Sequence, residues 1–427
     1  MSVKTFFKGD KAIWSVLAFL VCISLVAVYS STGKLASRTN HDAAYYMLRQ
    51  GGFIAVGFIG ILLITNFVPI KLIRRFALAG VVVAFVALIA AYAQFKLAGD
   101  TAAARETARE LRVGPVRFQP AELAKLTVMI FIASTLAACK RSDSGSVWRT
   151  FWTCMITVGV FCLIFIGLKF GTSSAIMLFV AAMFLQFVAQ TPWLLARMSV
   201  WASAVVMLVG LYVAAPMFPN VGRIATLKSR IDNFLVDTRV GKALHITVPP
   251  ATADDAGLFS QADYSKLAIY EGGLTGKGPG HNDVSNYMEA AYNDFIFSII
   301  IEEYGWILFP FILFLFVVFF FRCLKIFNEA NTMFPALLTA GLSLMIMIQA
   351  FVNMCVAVGI GPVTGQPMPL VSVGGTSIVF TAAAFGIILR ADWERKIEKA
   401  RETAEQQDAA PTVNAPDGEI APTIVLT

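Results

Sequence analysis

Met288–Trp306 reads MEAAYNDFIFSIIIEEYGW, and this stretch decides the fold class. Asp294 stands at the edge of an apolar run, and Glu302 and Glu303 lie inside it. A charge at bilayer depth costs roughly 2.5–3.5 kcal/mol on insertion scales, so carboxylates placed this way mark a candidate site. Outward from this stretch the chain repeats apolar runs of about 20 residues. That length crosses a ~30 Å hydrocarbon core at ~1.5 Å per residue. The 427 residues are 57% hydrophobic and 14% charged, with mean hydropathy +0.71. This composition excludes a set of soluble domains. The expected fold class is an all-α polytopic membrane protein.

Ten spans are expected, at 12–31, 48–68, 76–97, 121–139, 149–167, 173–190, 194–215, 294–321, 334–360 and 372–390. The first follows a short polar start with no small-residue cleavage site after it, and reads as an anchor. Lys and Arg set the orientation. Lys4, Lys8 and Lys11, then Lys71, Arg74 and Arg75, then Lys140, Arg141 and Arg149, then Arg322 and Lys325, then Arg390, Arg395, Lys396 and Lys399 all fall on one side when both termini are cytoplasmic. Residues 1–11 are then a cytoplasmic start, 12–401 one transmembrane domain, and 216–293 a large extracytoplasmic loop. Residues 402–427 form a cytoplasmic tail expected to be disordered, because the composition shifts there to Ala, Pro, Gln, Asp and Thr. The net charge of +7 argues for anionic membrane lipids as partners and not for nucleic acid.

The six cysteines lie within spans or at their cytoplasmic ends, so the large loop carries no disulfide. No Cys or His spacing matches a metal site, and His41, His245 and His281 are scattered. No protein-held metal is expected.

Three constellations carry chemistry. In Arg117-Phe-Gln119-Pro-Ala-Glu122-Leu-Ala-Lys125, Pro120 suits a first helical turn, and Glu122 and Lys125 share a helix face. Two readings fit equally: an ion pair that lets both charges enter the membrane, or Lys125 and Arg117 facing an outer cavity and holding phosphate. In the large loop, Arg223–Leu235 has the spacing of an amphipathic interfacial helix. Gly272–Gly280 (GGLTGKGPG) would let backbone N–H groups approach an anion near Lys277, or would be a plain flexible connection. In the opening stretch, Asp294 is either a helix N-cap or a general base at the outer surface. Glu302 and Glu303 read as structural, bonded to other spans.

FQPAELAKL, GGLTGKGPG followed by NDFIFSIIIEEYGW, and Val352–Asn353 through GIGPVTGQPMPLVSVGGTS resemble, in order and spacing, the signature blocks of the SEDS family. These are polytopic glycosyltransferases of bacterial wall synthesis. The last block and the basic end resemble the division branch, FtsW, more than the elongation branch, RodA. The resemblance implies polymerisation of lipid II into β-1,4 glycan strands at the outer face of the cytoplasmic membrane. It places the family's essential aspartate on Asp294. It places substrate-site positions on Gln119, Glu122, Lys125, Ser372, Gly374, Gly375 and Ser377. It implies a class B penicillin-binding protein and other divisome proteins as partners. The chain departs from the family where Glu110, Lys169 and Ala290 stand in place of an aromatic and two acidic residues.

In the implied reaction an acceptor hydroxyl attacks the anomeric carbon of a donor, inverts it and expels lipid-linked diphosphate. Asp294 would take the proton, a contribution of ~10²–10⁴-fold. Lys125, Arg117 and Lys277, in that order, would meet the charge of the leaving group. No cofactor is required; a magnesium or manganese ion could help neutralise the diphosphate. A lipid II flippase and a non-catalytic scaffold for a transpeptidase are the alternative classes, since intramembrane charges and a cavity would serve either.

Overall fold

The computed structural model describes residues 7–31, 43–97, 110–113, 116–139, 144–168, 170–189, 261–284, 288, 291–360 and 363–408. The described chain is almost all helix: α1 (Lys11–Ser31), α2 (Ala43–Phe67), α3 (Ile70–Arg75), α4 (Ala77–Leu97), α5 (Pro120–Ala137), α6 (Ser144–Gly167) and α7 (Thr172–Val188) come first. Then follow α8 (Gln261–Gly272), α9 (Ala291–Asp294), α10 (Ile296–Tyr304), α11 (Leu308–Asn328), α12 (Met333–Ala357) and α13 (Thr376–Asp408). A two-stranded antiparallel hairpin, β1 (Leu111–Val113) and β2 (Val116–Phe118), leads into α5, with Arg112 opposite Arg117.

Among the described residues, eight helices are long and apolar enough to cross a membrane: α1, α2, α4, α5, α6, α11, α12 and α13. The apolar α7 is shorter, at 17 residues. Burial sorts them. Helices α5 and α12 are enclosed, with Ala124, Val128, Ile132, Leu337 and Leu342 buried. Helices α2, α4 and α6 present Val56, Ile59, Val82, Val86, Ile156 and Leu163 outward. An apolar outward face on a helix of spanning length is a lipid face. Helix α13 lies along α2, α4 along α5, α6 along α7, and α11 along α12. Small residues permit the closest of these approaches: a Cβ on Gly57 of α2 would stand 3.0 Å from Ala382 Cβ of α13.

Three expectations change. The run 294–321 is not one span. Asp294 ends the single turn α9, Phe295 (φ −121°, ψ 27°) leaves helical geometry, α10 runs nine residues, and the chain breaks again at Gly305 (φ 76°, ψ 178°) before α11. Apolarity is continuous through this break, which is why a hydropathy reading joins the pieces. The last span begins at Thr376, not 372, and its helix continues to Asp408, so residues 402–408 are helix and not tail. The all-α expectation meets an exception between the third and fourth expected spans: the β-hairpin, secured by Gln94, whose Nε2 donates to Arg112 O at 2.9 Å and whose Oε1 accepts from Arg112 N at 3.0 Å. The expected seventh span (194–215), the amphipathic helix at 223–235, Lys169, Ala290 and residues 409–427 lie outside the described residues.

The two ends of the bundle differ. At one end Arg322 pairs with Asp10 at 2.5 Å, Lys396 and Arg395 pair with Asp392, and Arg390 pairs with Glu394. At the other end of α1, about 30 Å away at 1.5 Å per residue, Ser30 meets the 272–284 segment: its hydroxyl oxygen accepts from Gly280 N at 2.9 Å.

Candidate active site

At that second end, Asp294 sits at the α9–α10 break and is partly exposed. It does not cap α10. Phe295 occupies that position, and no side chain caps the helix. What holds Asp294 is backbone bonding to its own segment. Asn353 Nδ2 of α12 donates to Asp294 O at 2.9 Å, Ser372 Oγ donates to Asn293 O at 2.7 Å, and Val373 N donates to Tyr292 O at 3.1 Å. One residue on a rigid enclosed helix and two on the loop before α13 therefore fix three consecutive carbonyls. The carboxylate is carried on a clamped turn.

The loop 363–375 is itself over-determined. Asn353 Nδ2 also donates to Gln366 O (2.8 Å), Gln349 Nε2 to Pro367 O (3.0 Å), and Met368 N to Ser372 Oγ (2.7 Å). Gln50 Nε2 reaches Ser24 Oγ (3.1 Å) and Ser372 O (3.2 Å). Leu370 sits at φ 63° with its side chain buried, a strained conformation for a branched residue of the kind that gathers at functional sites. Gly374 precedes α13 where a Cβ would stand 2.1 Å from Ser377 Oγ. Thr376 Oγ1 accepts from Gln119 N at 3.2 Å, and Phe118 and Phe380 meet edge to face with centroids 5.3 Å apart, so the starts of α5 and α13 are joined.

Lys125 is enclosed, with no exposed side-chain surface. Its ammonium lies 2.7 Å from Glu122 Oε1 and donates to Gln366 Oε1 at 3.4 Å. Gln366 in turn donates to Ser173 and Ser174 Oγ, each at 3.0 Å. A buried charge needs a partner and further hydrogen bonds, and here it has both. Of the two readings of this motif, the ion pair is the one observed. Arg117, on β2, has a side chain 55% exposed and lies 3.8 Å from Glu110.

The glycine-rich loop is a helix cap. Lys277 N donates to Glu302 O and Gly278 N to Glu303 O, both at 2.9 Å, and Trp306 N donates to Gly273 O at 2.9 Å. The first two satisfy carbonyls left over at the end of α10, and the third ties the chain after α10 back to the loop. The approach demands glycine: a Cβ on Gly276 (φ 78°) would stand 2.1 Å from Glu303 O, and one on Gly305 2.2 Å from Leu274 O. The amides expected to meet an anion are thus engaged within the protein: those of Lys277 and Gly278 on α10, that of Gly276 on Gly272 O and that of Gly280 on Ser30 Oγ. Lys277 bonds Glu271 and lies 3.5 Å from the fully buried Glu302, whose Oε1 also accepts from Val284 N at 2.9 Å. The hydrogen bond that Lys277 donates to Glu271 holds the Lys277 pKa above its ordinary value. Glu303 accepts from Ser30 Oγ. Both glutamates are buried and bonded to neighbouring elements.

The structure thus gathers Asp294 with Ser372, and Gln119 with the start of α13, while Lys125 and Glu122 join the same loop from beneath through Gln366. Lys277 belongs to a separate cluster with Glu271 and Glu302. Sequence reasoning assigned no role to Asn353, Gln366, Ser173, Ser174 or Gln50. Their signal was there, as amides and hydroxyls in or beside apolar runs, each of which must find a buried partner.

Comparison with known proteins follows the same boundaries. A family model described as a cell cycle protein, covering FtsW, RodA and SpoVE, matches residues 10–397. The chain is 29% identical over 407 residues to a probable peptidoglycan glycosyltransferase FtsW of Saccharophagus degradans, covering 92% of this chain and 95% of that protein. It is 27% identical over 392 residues to the peptidoglycan glycosyltransferase MrdB of Escherichia coli K12, covering 91% and 94%. In fold it is similar to a chain from a structure titled "Structural coordination of polymerization and crosslinking by a peptidoglycan synthase complex" (TM-score 0.65, 20% identity, 91% of this chain and 98% of that one). It is also similar to the Thermus thermophilus rod shape determining protein RodA (TM-score 0.57, 20% identity, 92% and 99%). The chain belongs to the FtsW/RodA/SpoVE family, the SEDS family.

Proposed function

Proceeding from that membership, we propose that this chain is a peptidoglycan glycosyltransferase of the FtsW kind, which polymerises lipid II with inversion at the anomeric carbon. The observation that carries the assignment of roles is the clamped turn at Asp294. A general base must be held within hydrogen-bond reach of the proton it takes, and a few tenths of an ångström of wander are costly. Asn353, Ser372 and Val373 supply that restraint through the backbone and leave the residue partly exposed, with Oδ1 buried.

The acceptor sugar's 4-hydroxyl gives its proton to Asp294 as its oxygen bonds to the donor's anomeric carbon. The bond from that carbon to the diphosphate oxygen breaks, and the electron pair leaves with the undecaprenyl diphosphate. Arg117, exposed and 3.8 Å from Glu110, is the cation to which we assign that charge. Lys125 is a positioning residue in this scheme: through Gln366 it sets the loop that clamps the base. The prenyl chain stays among lipids at the outward faces of the spans. The end of the bundle rich in ion pairs is cytoplasmic by its excess of Lys and Arg, and Asp294 then lies on the extracytoplasmic side. A transpeptidase of the class B penicillin-binding type is the proposed partner; the solved chain of similar fold comes from a complex described as coordinating polymerization with crosslinking.

The test is purified full-length chain given labelled lipid II, with and without a partner transpeptidase whose active serine is blocked. Glycan strands longer than the dimer support the proposal. Label that moves between leaflets of a vesicle without polymer in either arm overturns it in favour of transport, and the absence of both overturns it in favour of a scaffold.

A further inference from the structure

Away from the candidate active site, at the ion-paired end, a groove of about 740 Å³ lies between α3, the α11–α12 turn and α13. Its walls are both apolar (Ile70, Ile326, Phe334, Ile397) and charged. Two of its charges are already engaged. Glu394 accepts from Ile70 N at 3.0 Å and pairs with Arg390 at 2.7 Å, and Arg395 pairs with Glu329 and Asp392. That leaves Lys71, Arg74 and Arg401 against the single carboxylate of Glu398. Among the described residues, none of the three cations is within ion-pair distance of a carboxylate; Arg74 lies over the Phe334 ring, 5.6 Å from its centroid.

A second cavity, of about 220 Å³, is almost wholly apolar; it shares no lining residue with the first but is walled by the same three helices one to two turns away. Helix α3 gives Ile73 to the crevice and Lys71 and Arg74 to the groove; α5 gives Ile130 and Ala137; α13 gives Ile387 and, one turn on, Ala391. The crevice opens between α2 and α4, whose outward faces are apolar along their length.

A three-cation groove with an apolar slot one to two turns away along the same three helices has the chemistry of one amphiphile. We propose that this is a binding site for an acidic glycerophospholipid, its phosphate among Lys71, Arg74 and Arg401 and one acyl chain in the crevice of Ile73, Ile130 and Ile387. Acidic headgroups at a membrane surface are held by clustered Lys and Arg, each contributing a several-fold gain in affinity. The three helices that wall the site include α5, which carries Lys125, and α13, which follows the loop that clamps Asp294. The occupant therefore braces the two elements that meet at the opposite end.

Native mass spectrometry of the full chain released from detergent tests this, with dioleoyl-phosphatidylglycerol, dioleoyl-phosphatidylcholine, undecaprenyl phosphate and inorganic phosphate as separate probes. Phosphatidylglycerol adducts should be retained about tenfold better than phosphatidylcholine. The Lys71→Gln/Arg401→Gln variant should lose that preference, while Lys71→Arg/Arg401→Lys, which keeps the charge, should retain it. Equal retention of the two phospholipids, or a preference unmoved by the Gln pair, overturns the proposal. So does inorganic phosphate displacing the lipid at millimolar concentration, which makes this a free-anion site, or tighter retention of the prenyl phosphate, which makes it a site for the carrier lipid.

Discussion

Single residues decide whether the site's scaffold forms. Gly273 and Gly276 both have positive φ, 53° and 78°, but only Gly276 lies against backbone, with Glu303 O where its Cβ would go; Gly273 has open space. A left-handed conformation costs a non-glycine residue roughly 1–2 kcal/mol. Gly273→Ala should therefore cost about that much, and Gly276→Ala at least about twice as much, read as unfolding midpoints in detergent. Equal effects would show that the loop does not cap α10. Lys277→Met removes a partner of the fully buried Glu302 and should destabilise by about 2–3 kcal/mol, whereas Arg117→Met, at an exposed pair, should cost under about 1 kcal/mol. Because the Lys277 pKa is raised, its contribution is complete below the ordinary value of 10.5 and fades only as pH climbs through the raised one. The wild type should show no loss of thermal stability from this group between pH 6 and about 9. The residue types at this scale were legible, since Asp294, Glu302 and Lys125 are conspicuous in apolar surroundings. Their partners were not, because the bond from Lys125 to Gln366 spans 241 positions and no local spacing reports it.

At the scale of elements, the stretch read as one span is a turn, a nine-residue helix, a break and then the span. Gly305 after Tyr304 is the ordinary mark of a helix end, and it was overridden by apolarity on both sides of it. What fixes the pieces is the loop 363–375, and its contribution is testable. Ser372→Ala removes the bonds to Asn293 O and Met368 N, and Asn353→Ala removes those to Asp294 O and Gln366 O. Each leaves buried carbonyls or amides unmatched, a cost of about 1–3 kcal/mol. Each should lower the turnover rate of lipid II polymerisation about tenfold or more with little change in KM, because the base is loosened and the substrate surface is not. Loss of stability with unchanged turnover would mean that the loop only holds the bundle together. Helix positions and the pairing of Glu122 with Lys125 were readable from period and spacing. The cap formed by Gly272–Gly280 was not, since a glycine run fits an anion cradle, a flexible link and a close backbone approach equally well.

For the whole molecule, the ion pairs at one end and the clamped turn at the other define an axis. Asp10 is buried and pairs with Arg322, and Lys396 donates to Gly9 O, so the start of α1 is fastened to α11 and α13. Asp10→Ala strands the guanidinium and should lower the unfolding midpoint by several degrees, the equivalent of about 1–3 kcal/mol. The distribution of Lys and Arg was enough to predict which end faces the cytoplasm. A fluorescent protein fused after Thr427 should fold and glow, and alkaline phosphatase at the same place should be inactive; the reverse pair of outcomes would invert the orientation and put Asp294 on the wrong side for extracytoplasmic chemistry. The role of Asp294 as base is read most directly from the initial rate of glycan synthesis from labelled lipid II by Asp294→Asn, with lipid II binding measured on the same preparation. That rate should fall at least about 10²-fold below wild type with binding retained; a rate within a few-fold of wild type would show that Asp294 is not the base.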